Sequence, residues 1–173
     1  MAVAAFMAIT VDPAMRMLLV FTCCVALAIG PHQVFITAVM QSTFKMDHGG
    51  VAIAQFVFAL ARIVAAWSFP FISKKTSLLA VGFVAIAAMI AGNGLAALVL
   101  FQQRGASAQQ SFFLLYLCAH VAIFVGFTFA TSWNRIVRGK RTPLQLLGRM
   151  AGAMSTIAQL CGLAFSLSVT FAG

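Results

Sequence analysis

Five long apolar runs separated by polar or basic turns limit this chain to one kind of fold. Each run is about 20 residues or longer, the length that an α-helix needs to cross the roughly 30 Å hydrocarbon core of a bilayer. Backbone groups in hydrocarbon must find partners within the segment, so the runs are predicted to be helices. We predict one all-α domain over residues 1–173, a membrane bundle of five transmembrane helices. The predicted spans are about 17–40, 51–72, 77–101, 112–132 and 146–172.

Composition excludes a soluble basic protein. The chain is 63% hydrophobic and 8% charged, whereas soluble domains carry roughly 25% charged residues. Its net charge is +9, with Asp12 and Asp47 as the only acids. Nucleic acid is not an expected partner, because the basic residues lie at the ends of apolar runs without interleaved aromatic residues. Anionic lipid headgroups fit this placement.

The stretch from Trp133 to Arg149 sets the predicted orientation, because it holds five of the eleven Lys and Arg residues and no acid. Basic loops are retained on the side from which a chain is inserted. Alternating loops place eight basic residues on one side and two, Lys45 and Arg104, on the other. This pattern predicts an inside N-terminus and an outside C-terminus. We expect seven of the inner residues to contact anionic, cardiolipin-like lipid: Lys74, Lys75, Arg135, Arg138, Lys140, Arg141 and Arg149.

Arg62 lies near the middle of the second predicted span. A charge at that depth costs several kcal/mol unless it is paired, hydrated or able to reach the surface. No acid lies within any predicted span. The expected partners are therefore a backbone carbonyl, a polar side chain such as Gln55, Ser68 or Asn93, a lipid, a substrate, or a carboxylate on another chain.

Two histidines occupy similar predicted depths, His32 in the first span and His120 in the fourth. Matching depth is the minimum geometry for two axial haem ligands or for single pigment ligands. Hydrogen-bonded structural histidines explain the same pattern. On balance, no haem, chlorophyll or other cofactor is expected. Bound anionic phospholipid is expected.

Small residues mark two predicted packing faces. The third span has a stripe around Gly92, and the fifth begins with a GxxxG motif from Gly148 to Gly152 and continues to Gly162. Such residues let helix backbones approach closely in lipid, where no hydrophobic effect favours association. The faces serve contacts within the bundle or with another subunit.

The sequence contains no nucleophile–base pair, phosphate-binding loop or metal-spaced cluster, so neither an enzyme nor a metal site is expected. Its four cysteines, Cys23, Cys24, Cys118 and Cys161, lie in apolar runs and form no CxxC pair. They are interpreted as small buried residues. The absence of carboxylates in the spans argues against a proton- or sodium-coupled pump.

The chain resembles the C-terminal five-helix half of equilibrative nucleoside transporters, which belong to the wider major-facilitator-like architecture. The resemblance covers nearly the whole sequence and implies the same five-span topology. It also implies descent from a carrier in which two halves rock around a site at their interface. It rests on Gly30-Pro31, on Arg62 followed by Pro70 and Lys74-Lys75, on Asn93, on Phe127-Thr-Phe129, on Ala151-Gly152-Ala153 and on Gly162-Leu-Ala.

The sequence departs from that family at the motif around Arg62, which reads Ala59-Leu-Ala-Arg62 and lacks the family's Asp and Gly. We therefore predict first a non-catalytic accessory subunit that stabilises a larger membrane complex, with other membrane subunits as partners. A mitochondrial inner membrane is favoured, with a thylakoid or plasma membrane as alternatives. The second hypothesis is a half-sized solute transporter that works as an oligomer, and the third is a haem- or pigment-binding subunit.

Overall fold

A computed structural model describes residues 12–103, 109–142 and 144–172, and these residues form five helices. Arg104 and Pro143 lie outside the described residues. The helices are α1 (Pro13–Ser42), α2 (His48–Lys75), α3 (Leu78–Gln103), α4 (Gln109–Arg141) and α5 (Leu144–Ala172). The described chain contains helices and short turns only, which confirms the all-α prediction.

Four of the helices, α1 to α4, are long and apolar enough to cross a membrane by length and composition. The chain is therefore an integral membrane protein. A fifth crossing by α5 and the orientation of the termini remain predictions. Each predicted span overlaps one helix.

Aspartate side chains define the starts of two helices. Asp12 Oδ1 accepts a hydrogen bond of 2.9 Å from Ala14 N, and Pro13 is the first residue of α1. Aspartate before a helix and proline in its first turn are both favoured at helix starts. Asp47 caps α2 in the same way, accepting 2.8 Å from Gly50 N. The two acids of the chain thus lie at helix starts and outside the predicted spans.

Two helices differ from the sequence prediction. The α4 helix continues to Arg141, nine residues beyond the predicted end of its span. A helix need not stop where hydrocarbon stops, because basic side chains are solvated in the headgroup region and favour helix C-termini. The α2 helix likewise runs through Pro70 to Lys75. Proline removes one hydrogen bond of the helix there without ending it.

The chain divides into two compact units. The first comprises residues 12–34 and 133–172 of the described chain, and the second comprises residues 35–103 and 109–132. The α1 and α4 helices contribute to both. Each unit has its own buried side chains and is described by itself.

The second unit contains a close antiparallel crossing of α3 and α4. A Cβ placed on Gly92 would lie 2.7 Å from the carbonyl oxygen of Ala119, and one placed on Gly126 would lie 2.7 Å from that of Ala85. Residue numbers increase along α3 as they decrease along α4, so the helices are antiparallel. The predicted stripe of the third span therefore lies at a helix contact, with Ala85 and Gly92 buried.

The first unit is held by methionine and leucine side chains from α1 and α5. Met15 and Leu18 of α1 pack with Met150 and Met154 of α5, and all four are at most 4% exposed. The Trp133 side chain of α4 packs against this cluster. The cluster fixes the polar end of α4 beside α1 and α5.

Candidate functional site

Arg62 occupies the fifteenth position of the 28-residue α2 helix. At about 1.5 Å per residue it lies about 20 Å from either end, in the middle of the predicted span. Its guanidinium carbon lies 5.8 Å from the ring centroid of Phe124 and 5.7 Å from that of Phe127. These two α4 rings were not singled out as its partners from the sequence, because pairing of α2 with α4 is a tertiary property.

Two of the polar side chains considered as partners for Arg62 are engaged with their own helices. Ser68 Oγ donates to Ala65 O over 3.1 Å, and Asn93 Nδ2 donates to Met89 O over 2.8 Å. Within the described part of the chain, the Arg62 guanidinium is therefore held by aromatic faces rather than by a carboxylate.

Arg62 belongs to an exposed stripe on α2, which we call the Arg62 face. It comprises Ala52, Gln55, Ala59, Arg62 and Ala66, all exposed. Their spacing of three and four residues places them along one side of the helix. Small side chains next to a charge leave room for a second helix to approach. Beside this face, α2 exposes three large apolar side chains: Phe56, Ile63 and Trp67.

His120 is fully buried in the second unit. Its Nδ1 lies 2.9 Å from the carbonyl oxygen of Tyr116, one turn earlier on α4. Its ring centroid lies 4.2 Å from that of Tyr116 and 5.8 Å from that of Phe58. This environment is that of a structural core histidine. His32 is half-buried in the first unit. Ligation of haem or pigment by these residues remains the third hypothesis.

The other predicted packing glycines divide into two groups. A Cβ on Gly162 would lie 3.4 Å from the carbonyl oxygen of Ala26, so α5 meets α1 at ordinary contact distance there. A Cβ on Gly148 or Gly152 would meet nothing within 4 Å among the described residues. The GxxxG motif is thus open within the described part of the chain.

Most of the predicted lipid-contacting residues are exposed at helix ends. Arg135, Lys140, Arg141 and Arg149 are exposed in the first unit, and Lys74 and Lys75 are exposed in the second. Arg138 differs because it is half-buried.

Three buried donors in this region lack a hydrogen-bond acceptor in the described chain. They are Nε1 of Trp133, Nε of Arg138 and Oγ1 of Thr142. Sequence reasoning named Arg138 for its charge but missed the other two. Only the burial of α4 against its neighbours distinguishes them from ordinary interfacial residues.

No three His, Cys, Asp or Glu side chains form a metal-binding group among the described residues. The chain matches no protein-family model, no curated protein and no solved structure.

Proposed function

We propose that the protein is a non-catalytic integral-membrane subunit that docks on a larger membrane complex through the Arg62 face. The observation that supports this proposal is the exposure of a mid-span arginine on a helix face whose other residues are three alanines and Gln55. The expected occupant is a transmembrane helix of another subunit that carries an aspartate or glutamate at the same depth.

The aromatic rings at Arg62 offset only part of the cost of its charge. A cation–π contact is worth about 0.5–1 kcal/mol when exposed and about 2 kcal/mol when desolvated, so two contribute about 1–4 kcal/mol. The cost at the bilayer centre is about 2.5–3.5 kcal/mol on insertion scales and about 10–17 kcal/mol in simulations. The rings also offer no oxygen atom to accept hydrogen bonds from the guanidinium N–H groups. A carboxylate supplies both charge and acceptors.

That carboxylate must come from outside these 173 residues. Asp12 and Asp47 are the only acids, and both lie at helix starts. A second copy of the chain would bring another Arg62 and no acid at mid-span. The charge pattern therefore favours a different subunit over self-association, and it weighs against the half-sized transporter working as a homo-oligomer.

The depth of Arg62 favours a protein helix over a lipid as its partner. Phosphates lie at the surface of the hydrocarbon core, roughly 15 Å from its middle. A carboxylate on a neighbouring helix can lie at any depth. The alanines of the Arg62 face allow the two backbones to come close, which shortens the distance that both side chains must span.

We further propose a bioenergetic membrane as the location, with the mitochondrial inner membrane favoured. Support comes from the strongly basic predicted inner loops, which suit cardiolipin-like lipid.

The test is Arg62→Leu, compared with Lys75→Leu as a control that removes a positive charge at the exposed end of the same helix. Each variant is expressed in its own membrane and extracted gently, and assembly is measured by native mass spectrometry. We expect the Arg62 variant alone to be recovered outside the complex. Recovery of both variants in an unchanged multi-protein assembly would refute the docking role.

Photocrosslinking maps the same face without altering the arginine. A photoreactive residue at Ala59 lies on the Arg62 face, whereas one at Leu60, 48% exposed, points away from it by about 100°. We expect protein adducts from position 59 and lipid adducts from position 60. Lipid adducts from both would contradict the proposal. Recovery of a homo-oligomer with measurable solute flux would favour the transporter instead.

A further inference from the structure

We infer that the basic end of α4 holds a phospholipid headgroup, whose phosphate binds at Arg138 and Thr142 and whose glycerol ester carbonyl binds at Trp133. This inference does not rest on docking at Arg62. Three buried donors have no acceptor in the described chain: Trp133 Nε1, Arg138 Nε and Thr142 Oγ1. Buried polar groups are paired in about 90% or more of cases, so three within ten residues indicate a missing acceptor.

Arg138 and Thr142 are placed to share one anion. Thr142 N donates to Arg138 O over 2.9 Å, so the α-helical turn persists between them. Side chains four residues apart on a helical turn lie side by side, about 5–6 Å apart at Cβ. Thr142 is only 7% exposed. An arginine N–H and a hydroxyl at this spacing are donors to two oxygens of a phosphate.

The surrounding charge favours an anion. In the first unit, exposed basic residues lie on all three contributing helices, and the cluster of Met15, Leu18, Met150 and Met154 holds these helices together. The only acid among them, Asp12, already accepts from Ala14 N at the start of α1. Besides Arg138, the basic residues of the first unit are Arg16, Arg135, Lys140, Arg141 and Arg149. Each is worth about 1 kcal/mol of attraction near an anionic membrane surface.

Trp133 distinguishes a phospholipid from free phosphate. It precedes Arg138 by five residues on α4, about 7.5 Å deeper along the helix axis at about 1.5 Å per residue. Its ring is fixed against Phe21, with centroids 4.8 Å apart. Tryptophan at this level of a membrane typically directs its N–H to polar lipid groups. A phospholipid offers a phosphate and, below it, ester carbonyls, which matches donors at two depths.

Three probes separate these contributions when titrated against the purified full chain by native mass spectrometry. Phosphatidylglycerol carries phosphate and esters, diacylglycerol carries esters alone, and inorganic phosphate carries phosphate alone. We expect phosphatidylglycerol to bind most tightly. Equal binding of phosphatidylglycerol and diacylglycerol would overturn the phosphate site, and this comparison needs no variant. Inorganic phosphate binding as tightly as phosphatidylglycerol would make the free anion the ligand and overturn the lipid assignment.

Conservative variants assign the individual donors. Thr142→Val should weaken phosphatidylglycerol and phosphate alike by about tenfold, the effect of one hydrogen bond to a charged group. Its matched control is Thr131→Val, since Thr131 Oγ1 donates within its own helix to Phe127 O. Equal losses from both threonine variants would overturn the site.

Trp133→Phe removes the indole donor while keeping an aromatic ring on Phe21. It should weaken phosphatidylglycerol binding about fivefold, the effect of one neutral hydrogen bond, and leave phosphate binding unchanged. The control is Trp67→Phe, because the Trp67 side chain is 73% exposed on α2. Equal weakening of both ligands by Trp133→Phe would overturn the ester carbonyl assignment.

Discussion

The close crossing of α3 and α4 predicts that a single methyl group at Gly126 separates these helices. An alanine Cβ there would lie 2.7 Å from the carbonyl oxygen of Ala85 and 2.8 Å from Cγ of Met89. The methionine side chain can move, but the carbonyl belongs to the α3 backbone. Reaching an ordinary contact of 3.4 Å requires an opening of 3.4 − 2.7, or about 0.7 Å. Overpacking of this kind typically costs about 1–3 kcal/mol.

Gly94→Ala is the matched control for Gly126→Ala. A Cβ at Gly94 meets nothing within 4 Å among the described residues. Both substitutions share the helix-propensity gain of about 0.8–1 kcal/mol, so their difference isolates the crossing. Unfolding in mixed micelles of increasing sodium dodecyl sulfate content, followed by circular dichroism, measures that difference. We expect Gly126→Ala to be less stable than Gly94→Ala by about 1–3 kcal/mol. Equal stabilities would refute the close crossing.

Two further predictions concern the first unit. Asn134 Nδ2 donates to Thr22 Oγ1 between α4 and α1. A double-mutant cycle with Asn134→Ala and Thr22→Val should give a coupling free energy of about 0.6 kcal/mol and at most about 1.7 kcal/mol. A coupling of zero would contradict the contact. Cys23 of α1 and Cys161 of α5 lie next to the contact between Gly162 and Ala26, and their thiols interact, so mild copper-phenanthroline oxidation should join them and shift gel mobility. The shift should be lost in Cys23→Ser and kept in Cys24→Ser; loss in both would exclude this pairing.

The sequence predicts helices reliably in this chain because lipid leaves few alternatives. The start of α1 at Pro13 depends on local chemistry, since the capping hydrogen bond from Ala14 N to Asp12 Oδ1 joins residues two apart. The end of α4 at Arg141 was not predicted. Hydropathy reports where the hydrocarbon ends, and the helix continues beyond that point.

The candidate sites were less predictable because they depend on which helices pack together. The charge of Arg62 is evident in the sequence, whereas its exposure and its contacts with two α4 rings are not. Gly92 and Gly148 both lie in small-residue patterns, yet only Gly92 has a close neighbour within the described chain. The unpaired donor of Thr142 becomes visible only when its surroundings are known.

The reciprocal glycine contacts have a mechanical consequence. Gly92 and Gly126 lie more than one helical turn apart along the crossing, each against the backbone of the other helix. Sliding α3 along α4 by one turn would replace a glycine with a bulkier side chain at a carbonyl that has no room for it. We therefore expect α3 and α4 to move together as one rigid helix pair. A conformational change within the second unit would tilt this pair as a whole or move α2 against it.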